Sequence, residues 1–272
     1  MNAWNEWAEN AALEFSSRVG HGLVRSLLEV TPATLDFGPH NAIRSLPSKR
    51  NLVSKMLDTN ELPRNVTRHI LAEKVQGDNA TSFDRYPGIF DEVARKVRQD
   101  FQGCADVLSF GCSTGEEVET LDSLYLEGCR IIGTDVDESV LSVARSKVRG
   151  SRNEIDFHHS LRLSEVEQFD VVLALSVLWR WPETKGMLNI SPICPFSAFE
   201  ALTEELSQRV RRGGYLVIHN SNYFFEDTIT YSRNFIQGSR LDRIGFVERF
   251  QTNSFKEELR TQGSVFFKKI RD

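Results

Sequence analysis

Apolar positions along the chain change their spacing near residue 100. Before it they recur at three- and four-residue steps: Trp4, Trp7, Ala8, Ala11, Phe15 and Val19 share one helix face, with Asn2 placed to cap it and Gly20 to end it. Residues 31–49 hold Pro32, Gly38, Pro39 and Pro47 and read as a loop, followed by weaker helical periodicity at 51–57 and 65–74. From Asp106 onward, short apolar runs alternate with amphipathic stretches, the pattern of parallel strands joined by helical crossovers. Strands are expected at 106–110, 130–134, 154–157, 171–175 and 215–218. One connecting helix is marked by Val118, Leu121 and Tyr125, and a second by Val140, Leu141, Ala144 and Val148, with Asp137 as its cap. A third carries Phe199, Leu202, Leu206 and Val210, opened by a Ser197/Glu200 capping box and closed at Gly213–Gly214. Two last strands, 244–251 and 264–270, have no long helix between them and are expected as an antiparallel edge pair. The fold class is therefore α/β, a seven-stranded, mostly parallel sheet with an antiparallel C-terminal pair. A helical N-terminal region spans 1–78 and the sheet domain 79–272.

Composition narrows the partners. With 272 residues, 40% of them apolar and 26% charged, the chain has ample material for a core without metal or disulfide staples. A net charge of -5 gives no general field for phosphate backbones, so nucleic acid is not an expected partner. The most apolar stretch, 171–178, is interrupted by Ser176 and falls far short of a membrane span; residues 1–10 carry Glu6 and Glu9 and lack the order of a secretory signal. A cytoplasmic protein without a membrane partner is expected. Cys104, Cys112, Cys129 and Cys194 show no CxxC spacing, and the His158–His159 pair has no third ligand nearby, so no metal is expected.

The chemistry concentrates between Val107 and Asp135. A strand runs into Gly111-Cys112-Ser113-Thr114-Gly115, a helix follows with Glu116 and Glu117 in its first turn, and the next strand ends in Gly133-Thr134-Asp135. Glycines there let backbone N–H groups approach a ligand closely, and a carboxylate at the second strand's end suits a ribose diol. Acids in the first turn repel a pyrophosphate and attract an ammonium, and the nicotinamide fingerprint GxGxxG is absent because Glu117 and Val118 follow Gly115. A nucleoside with a cationic tail fits that combination. The same loop also satisfies GxSxG, the hydrolase nucleophile elbow, with Ser113, Asp135 or Asp170, and His219 in a workable order. Neither the long helical stretch before it nor the acid closing the next strand has a role in hydrolysis, however.

The segment from Ser109 to Glu117, with Thr134-Asp135-Val136-Asp137, resembles motifs I and II of the class I S-adenosylmethionine-dependent methyltransferases, a Rossmann-like fold. More narrowly, it is similar to the chemotaxis-receptor glutamate methyltransferases, whose upstream Asn-x-Thr-x-Phe-x-Arg-x-Pro element has a counterpart in Asn79, Thr81, Phe83, Arg85 and Pro87. The resemblance covers 79–222. It implies an S-adenosylmethionine cofactor with Asn79, Thr81 and Arg85 at its methionine end, Arg85 on the carboxylate and Glu116 or Glu117 on the ammonium. Gly111, Cys112, Ser113 and Gly115 would lie beside the amino acid, Asp135 and Val136 at the ribose, and Ser160, Leu161, Leu175 and Ser176 toward adenine and sulfonium. The family's Asn-Val-Leu-Ile-Tyr-Phe segment is here Ser176-Val177-Leu178-Trp179-Arg180-Trp181, and its β subdomain is missing between Arg145 and Phe157. Trp179, Arg180, Trp181, Asn220, Asn222 and Tyr223 follow the fourth and fifth strands and are candidate acceptor contacts, with His219 as a candidate base. The expected activity is methyl transfer to an acceptor, expected to be a small metabolite. The alternatives are a protein glutamate O-methyltransferase and a non-catalytic S-adenosylmethionine or S-adenosylhomocysteine binder. Acceptor and oligomeric state stay open.

Overall fold

The computed structural model describes residues 81–272 except 149, 164–166, 181, 240–246, 259 and 261–262. The predicted N-terminal helices, Asn79 and Trp181 lie outside the described residues. The first described helix, α1 (Pro87–Asp100), begins at a proline, whose missing N–H costs nothing in a first turn. Its apolar residues Ile89, Phe90, Val93, Ala94 and Val97 are all buried.

Five parallel strands follow in the order anticipated: β1 (Asp106–Phe110), β2 (Arg130–Asp135), β3 (Glu154–His159), β4 (Phe169–Leu175) and β5 (Val210–His219). The sheet runs β3-β2-β1-β4-β5-β7-β6, with β7 (Phe266–Lys269) antiparallel to both β5 and β6 (Phe235–Gln237). The chain winds outward from β1 through β2 to β3, then crosses back to β4 on the other side of β1, so a crevice opens beyond the carboxyl ends of β1 and β4.

The central strands are apolar on both faces because both are covered. Leu108, Val172, Ala174, Leu216 and Ile218 pack toward α4 (Phe196–Gln208) through Phe199, Leu202 and Leu206. Val107, Ile131, Val171, Leu173 and Val217 pack on the other face with α1 and with α3 (Glu138–Lys147) through Leu141 and Ala144. Between β1 and β2 runs α2 (Glu116–Thr120), which widens into a π-helical turn at Leu121–Tyr125.

Three local expectations are corrected. The sixth strand is Phe235–Gln237, reached through the short α5 (Ile229–Asn234), rather than 244–251; within that stretch Phe250 makes one isolated bridge with Lys256. The Ser197/Glu200 capping box does not form: Pro195 is the N-cap, and a Glu200 carboxylate oxygen accepts the Ile229 N–H at 2.8 Å instead. Helix α4 ends at Gln208, and Gly213–Gly214 lie in a bulge within β5, whose register against β4 shifts between Phe169 and Val171. The Asp137 cap does form, its carboxylate accepting the Ser139 N–H at 2.8 Å.

Candidate functional site

At the carboxyl end of β1 the chain turns sharply. Gly111 has φ 73°, and a side-chain carbon there would lie 2.1 Å from Val177 Cγ1, so the position requires glycine twice over. The Gly111 and Cys112 N–H groups both donate to the Thr134 carbonyl at 2.8 Å. Ser113 then adopts φ 52° and donates its N–H to Asp135 Oδ2 at 2.9 Å, while the Asp137 N–H donates to Asp135 Oδ1 at 3.0 Å. Asp135 is 2% exposed, and burial pushes its carboxyl above the ordinary range. It therefore ties the glycine loop to the end of β2.

The two acids that follow have different surroundings. Glu116 is paired with Lys147 and accepts from Thr114 Oγ1 at 2.7 Å, and these partners hold its carboxyl low against the opposing effect of burial. Glu117 is partly buried and accepts from Ser109 Oγ at 2.8 Å; burial raises its carboxyl to about 7, opposed by that hydrogen bond and by the charge of Arg85. Of the predicted ammonium partners, Glu116 is committed to a lysine. Glu117 keeps acceptor capacity.

The segment before α1 straps across this edge. The Asp84 N–H donates to Thr120 Oγ1 at 2.8 Å, and Tyr125 donates its hydroxyl to Asp84 Oδ1 at the same distance. Arg85 is exposed with its guanidinium 5.1 Å above the Tyr86 ring, and Thr81 is half-buried at the start of the segment. Tyr86 reaches the ends of β4 and β5: its hydroxyl lies 2.7 Å from Ser176 Oγ, and Asn220 Nδ2 donates to both Ser176 Oγ (2.9 Å) and Tyr86 Oη (3.2 Å). Sequence reasoning missed Tyr86. Its signal was its place between Arg85 and Pro87 of the upstream element.

Ser176 and Asn220 hold φ 64° and 52°, so the tails of β1, β4 and β5 each turn on a left-handed residue that is not glycine. Such conformations cost about 1–3 kcal/mol and persist where surrounding contacts over-determine them, commonly at ligand sites. Beside Asn220, His219 is 6% exposed and meets Tyr86 edge-on with ring centroids 4.8 Å apart. Burial first, then the charges of Arg249 and Arg85, lowers its imidazole to about 4, so it is neutral at pH 7.

The remaining candidates divide. Val136 and Leu175 are buried at the ends of β2 and β4; Ser160 is buried after β3, and the neighbouring Leu161 is 37% exposed. Asn222 and Tyr223 are fully enclosed and spend their polar groups on the protein. Asn222 Oδ1 accepts the Arg180 N–H at 2.8 Å, and the Tyr223 hydroxyl donates to the Cys194 carbonyl and lies 2.8 Å from Ser254 Oγ. Arg180 is buried and donates to the Ile193 carbonyl at 3.2 Å. These three hold the loop after β4 against the chain after β5. Trp179 is half-buried next to Arg180. Of the two histidines closing β3, His158 Nε2 lies 3.1 Å from Asp156 and His159 Nδ1 accepts the Leu161 N–H. No cluster of metal-ligating side chains occurs among the described residues.

Residues 108–190, which hold the glycine loop, Asp135 and the ends of β2 to β4, match the family model of a methyltransferase domain, Methyltransf_12. The matched stretch lies on the seven-stranded, mostly parallel sheet described above. No curated protein matches the sequence. Solved structures similar to it include the N-methyltransferase NodS from Bradyrhizobium japonicum WM9, at 16% identity over 70% of this chain and 100% of that one, TM-score 0.42. Another is CalS10, an amino pentose methyltransferase of calicheamicin biosynthesis from Micromonospora echinaspora, at 18% identity over 66% of this chain, TM-score 0.35. A third is the magnesium protoporphyrin IX methyltransferase ChlM from Synechocystis PCC 6803, at 16% identity over 62% of this chain and 70% of that one, TM-score 0.35. The match spans 61% of the length of CalS10. Among the described residues no helix is long and apolar enough to cross a membrane.

Proposed function

We propose that the protein binds S-adenosylmethionine against the β1–β2 half of the crevice and transfers its methyl group to a small-molecule acceptor at the β4–β5 half. The observation that carries the reading is the pair of acids flanking the glycine loop, Asp135 at the end of β2 and Glu117 in the first turn of α2. One carboxylate suits a ribose diol and the other a cation, whereas a dinucleotide would bring its pyrophosphate against Glu117. Two enclosed hydroxyls at this edge, Ser113 Oγ and Thr134 Oγ1, have no hydrogen-bond partner among the described residues, as expected of a cradle that completes its bonding with a ligand.

In this reading Asp135 accepts from the ribose hydroxyls with lone pairs not used by Ser113 and Asp137. Glu117 accepts from the ammonium, and Arg85 donates to the carboxylate. Val136, Leu161 and Leu175 supply apolar walls for adenine, Ser160 lies beside them, and Ser176 borders the sulfur. When bound, the cofactor supplies a methyl group on a positively charged sulfur. The protein aligns the nucleophile with it and excludes water, tasks for which Tyr86, Ser176, His219 and Asn220 are already linked into one rigid set.

The test is calorimetric titration of the protein with S-adenosylhomocysteine and with NAD. Saturable binding of the former at micromolar or lower concentration, with none of the latter, is expected. NAD binding, or no binding of either, overturns the reading. Incubation with methyl-labelled S-adenosylmethionine and a panel of small alcohols, phenols, amines and acids then looks for transferred label; persistent binding without transfer would favour the non-catalytic alternative.

A further inference from the structure

The β4–β5 half of the crevice contains two enclosed polar atoms that no described residue bonds. Asn220 is 6% exposed and gives its amide N–H groups to Ser176 and Tyr86, yet among the described residues its Oδ1 has no hydrogen-bond partner; His219, equally buried, has none there at Nδ1. Leaving such an atom without a partner costs the full desolvation of the group. Here two occur on successive residues, one of them in a left-handed conformation, at the end of the strand that faces the proposed methyl donor.

Their chemistry restricts what completes them. An amide oxygen only accepts, so its ligand must bring a hydrogen. A neutral imidazole offers one donor and one acceptor. Arg85 and Arg249 both raise the positive potential at His219, which disfavours an ammonium. A carboxylate suits the potential but brings no hydrogen to Asn220 Oδ1. A neutral hydroxyl donates, accepts and carries no charge.

Resting on the methyltransferase reading above, we infer that the acceptor presents a neutral hydroxyl oxygen to the His219–Asn220 pair, and that the product is a methyl ether. The oxygen lone pair forms the new C–O bond while the carbon–sulfur bond breaks and its electron pair stays on sulfur, leaving a neutral thioether. The hydroxyl hydrogen, donated to Asn220 Oδ1 while the oxygen accepts from the His219 Nδ1–H, is released to water as the oxygen gains the methyl group. A strong base is unnecessary, because the hydroxyl becomes a far stronger acid as its oxygen acquires the methyl group. Asn220 acts as a positioning residue, itself held by Ser176 and Tyr86.

Three aromatic probes of similar size separate the acceptor classes: phenol, benzoate and benzylamine. Each is titrated into the protein saturated with S-adenosylhomocysteine, and the side-chain nitrogen resonances of histidine-labelled protein are followed by NMR. Phenol is expected to shift the His219 signals saturably, with at least tenfold weaker effects from the other two. In Asn220→Leu the phenol affinity should fall about tenfold while S-adenosylhomocysteine still binds; Asn220→Asp, which keeps an acceptor at Oδ1, should lose less. Equal or stronger binding of benzoate or benzylamine at His219, or no response to any probe, overturns the inference. Failure of S-adenosylhomocysteine to bind at the outset would instead overturn the cofactor reading, so the two are tested separately.

Discussion

The two ends of the central strands are built on opposite plans. At the amino edge the charges are mutually satisfied: Asp106 is shared by Arg130 (3.0 Å) and Arg211, Arg130 also reaches Glu167 at 2.9 Å, and Arg211 reaches Asp170 at 3.0 Å. Asp170, at the start of β4, also accepts the Asp106 N–H at 2.9 Å and joins β4 to β1. At the carboxyl edge the same strands end in enclosed atoms without partners among the described residues, namely Ser113 Oγ, Thr134 Oγ1, His219 Nδ1 and Asn220 Oδ1, and in three left-handed residues other than glycine. One edge spends its polar groups on the fold. The other withholds them, which is how a protein keeps bonding capacity for a ligand at the expense of its own stability.

The sharpest break of that contrast is expected at Asp135, which serves both purposes. Asp135→Ala should weaken S-adenosylhomocysteine binding by about a hundredfold or more, the worth of two hydrogen bonds to a charged group. It should also lower stability by about 1–3 kcal/mol, because the Ser113 and Asp137 N–H groups lose their acceptor. Calorimetry and urea unfolding measure the two separately. Unchanged affinity would remove the ribose assignment.

Glu117 comes next. Its carboxyl titrates near 4.5 unfolded and about 7 folded, so its contribution to stability is complete below pH 4.5, declines as the pH rises toward 7 and is flat above. The span is at most about 3 kcal/mol. Glu117→Gln should abolish that slope. His219 slopes the other way, its contribution present above pH 6.5 and lost as the pH falls toward 4, so the difference between wild type and variant isolates Glu117. Parallel stability curves from pH 4.5 to 8 would contradict the assignment.

A smaller change is expected of Arg85→Ala, about a tenfold loss of S-adenosylhomocysteine affinity from one charge-assisted contact. The smallest belongs to the amino edge. Arg211→Ala should cost about 1 kcal/mol or less, since its guanidinium is 41% exposed, and should leave ligand affinity untouched. A large loss of affinity there would erase the distinction between the two edges.

The β1–β2 half of the crevice was legible in the sequence because its parts are contiguous. Gly111 to Glu117 and Asp135 sit on one strand, one turn and the next strand, and the steric need at Gly111 leaves a glycine in the sequence to be read. The β4–β5 half was less legible because long-range contacts build it. Tyr86 and Asn220 meet across 134 positions, and nothing in the letters Ser176 and Asn220 announces a left-handed backbone. The same limit explains Asn222 and Tyr223. Their position after β5 suggested a pocket wall, whereas their hydrogen bonds hold loops together. Local signals also misled where a longer-range partner prevailed: Glu200 leaves its own helix end for the Ile229 N–H, and the three-residue β6 carries too short a pattern to stand out from its surroundings.

Cys112 lies inside the glycine loop, its sulfur 3.0 Å from where a side chain on Gly133 would begin, and burial together with the neighbouring acids raises its thiol well above the usual value. An alkylating reagent therefore finds Cys104 at once, but reaches Cys112 only when this end of the sheet comes apart. The molecule thus contains its own stopwatch for local opening. Its rate, followed by mass spectrometry with and without S-adenosylhomocysteine, should slow in proportion to the occupancy of the crevice.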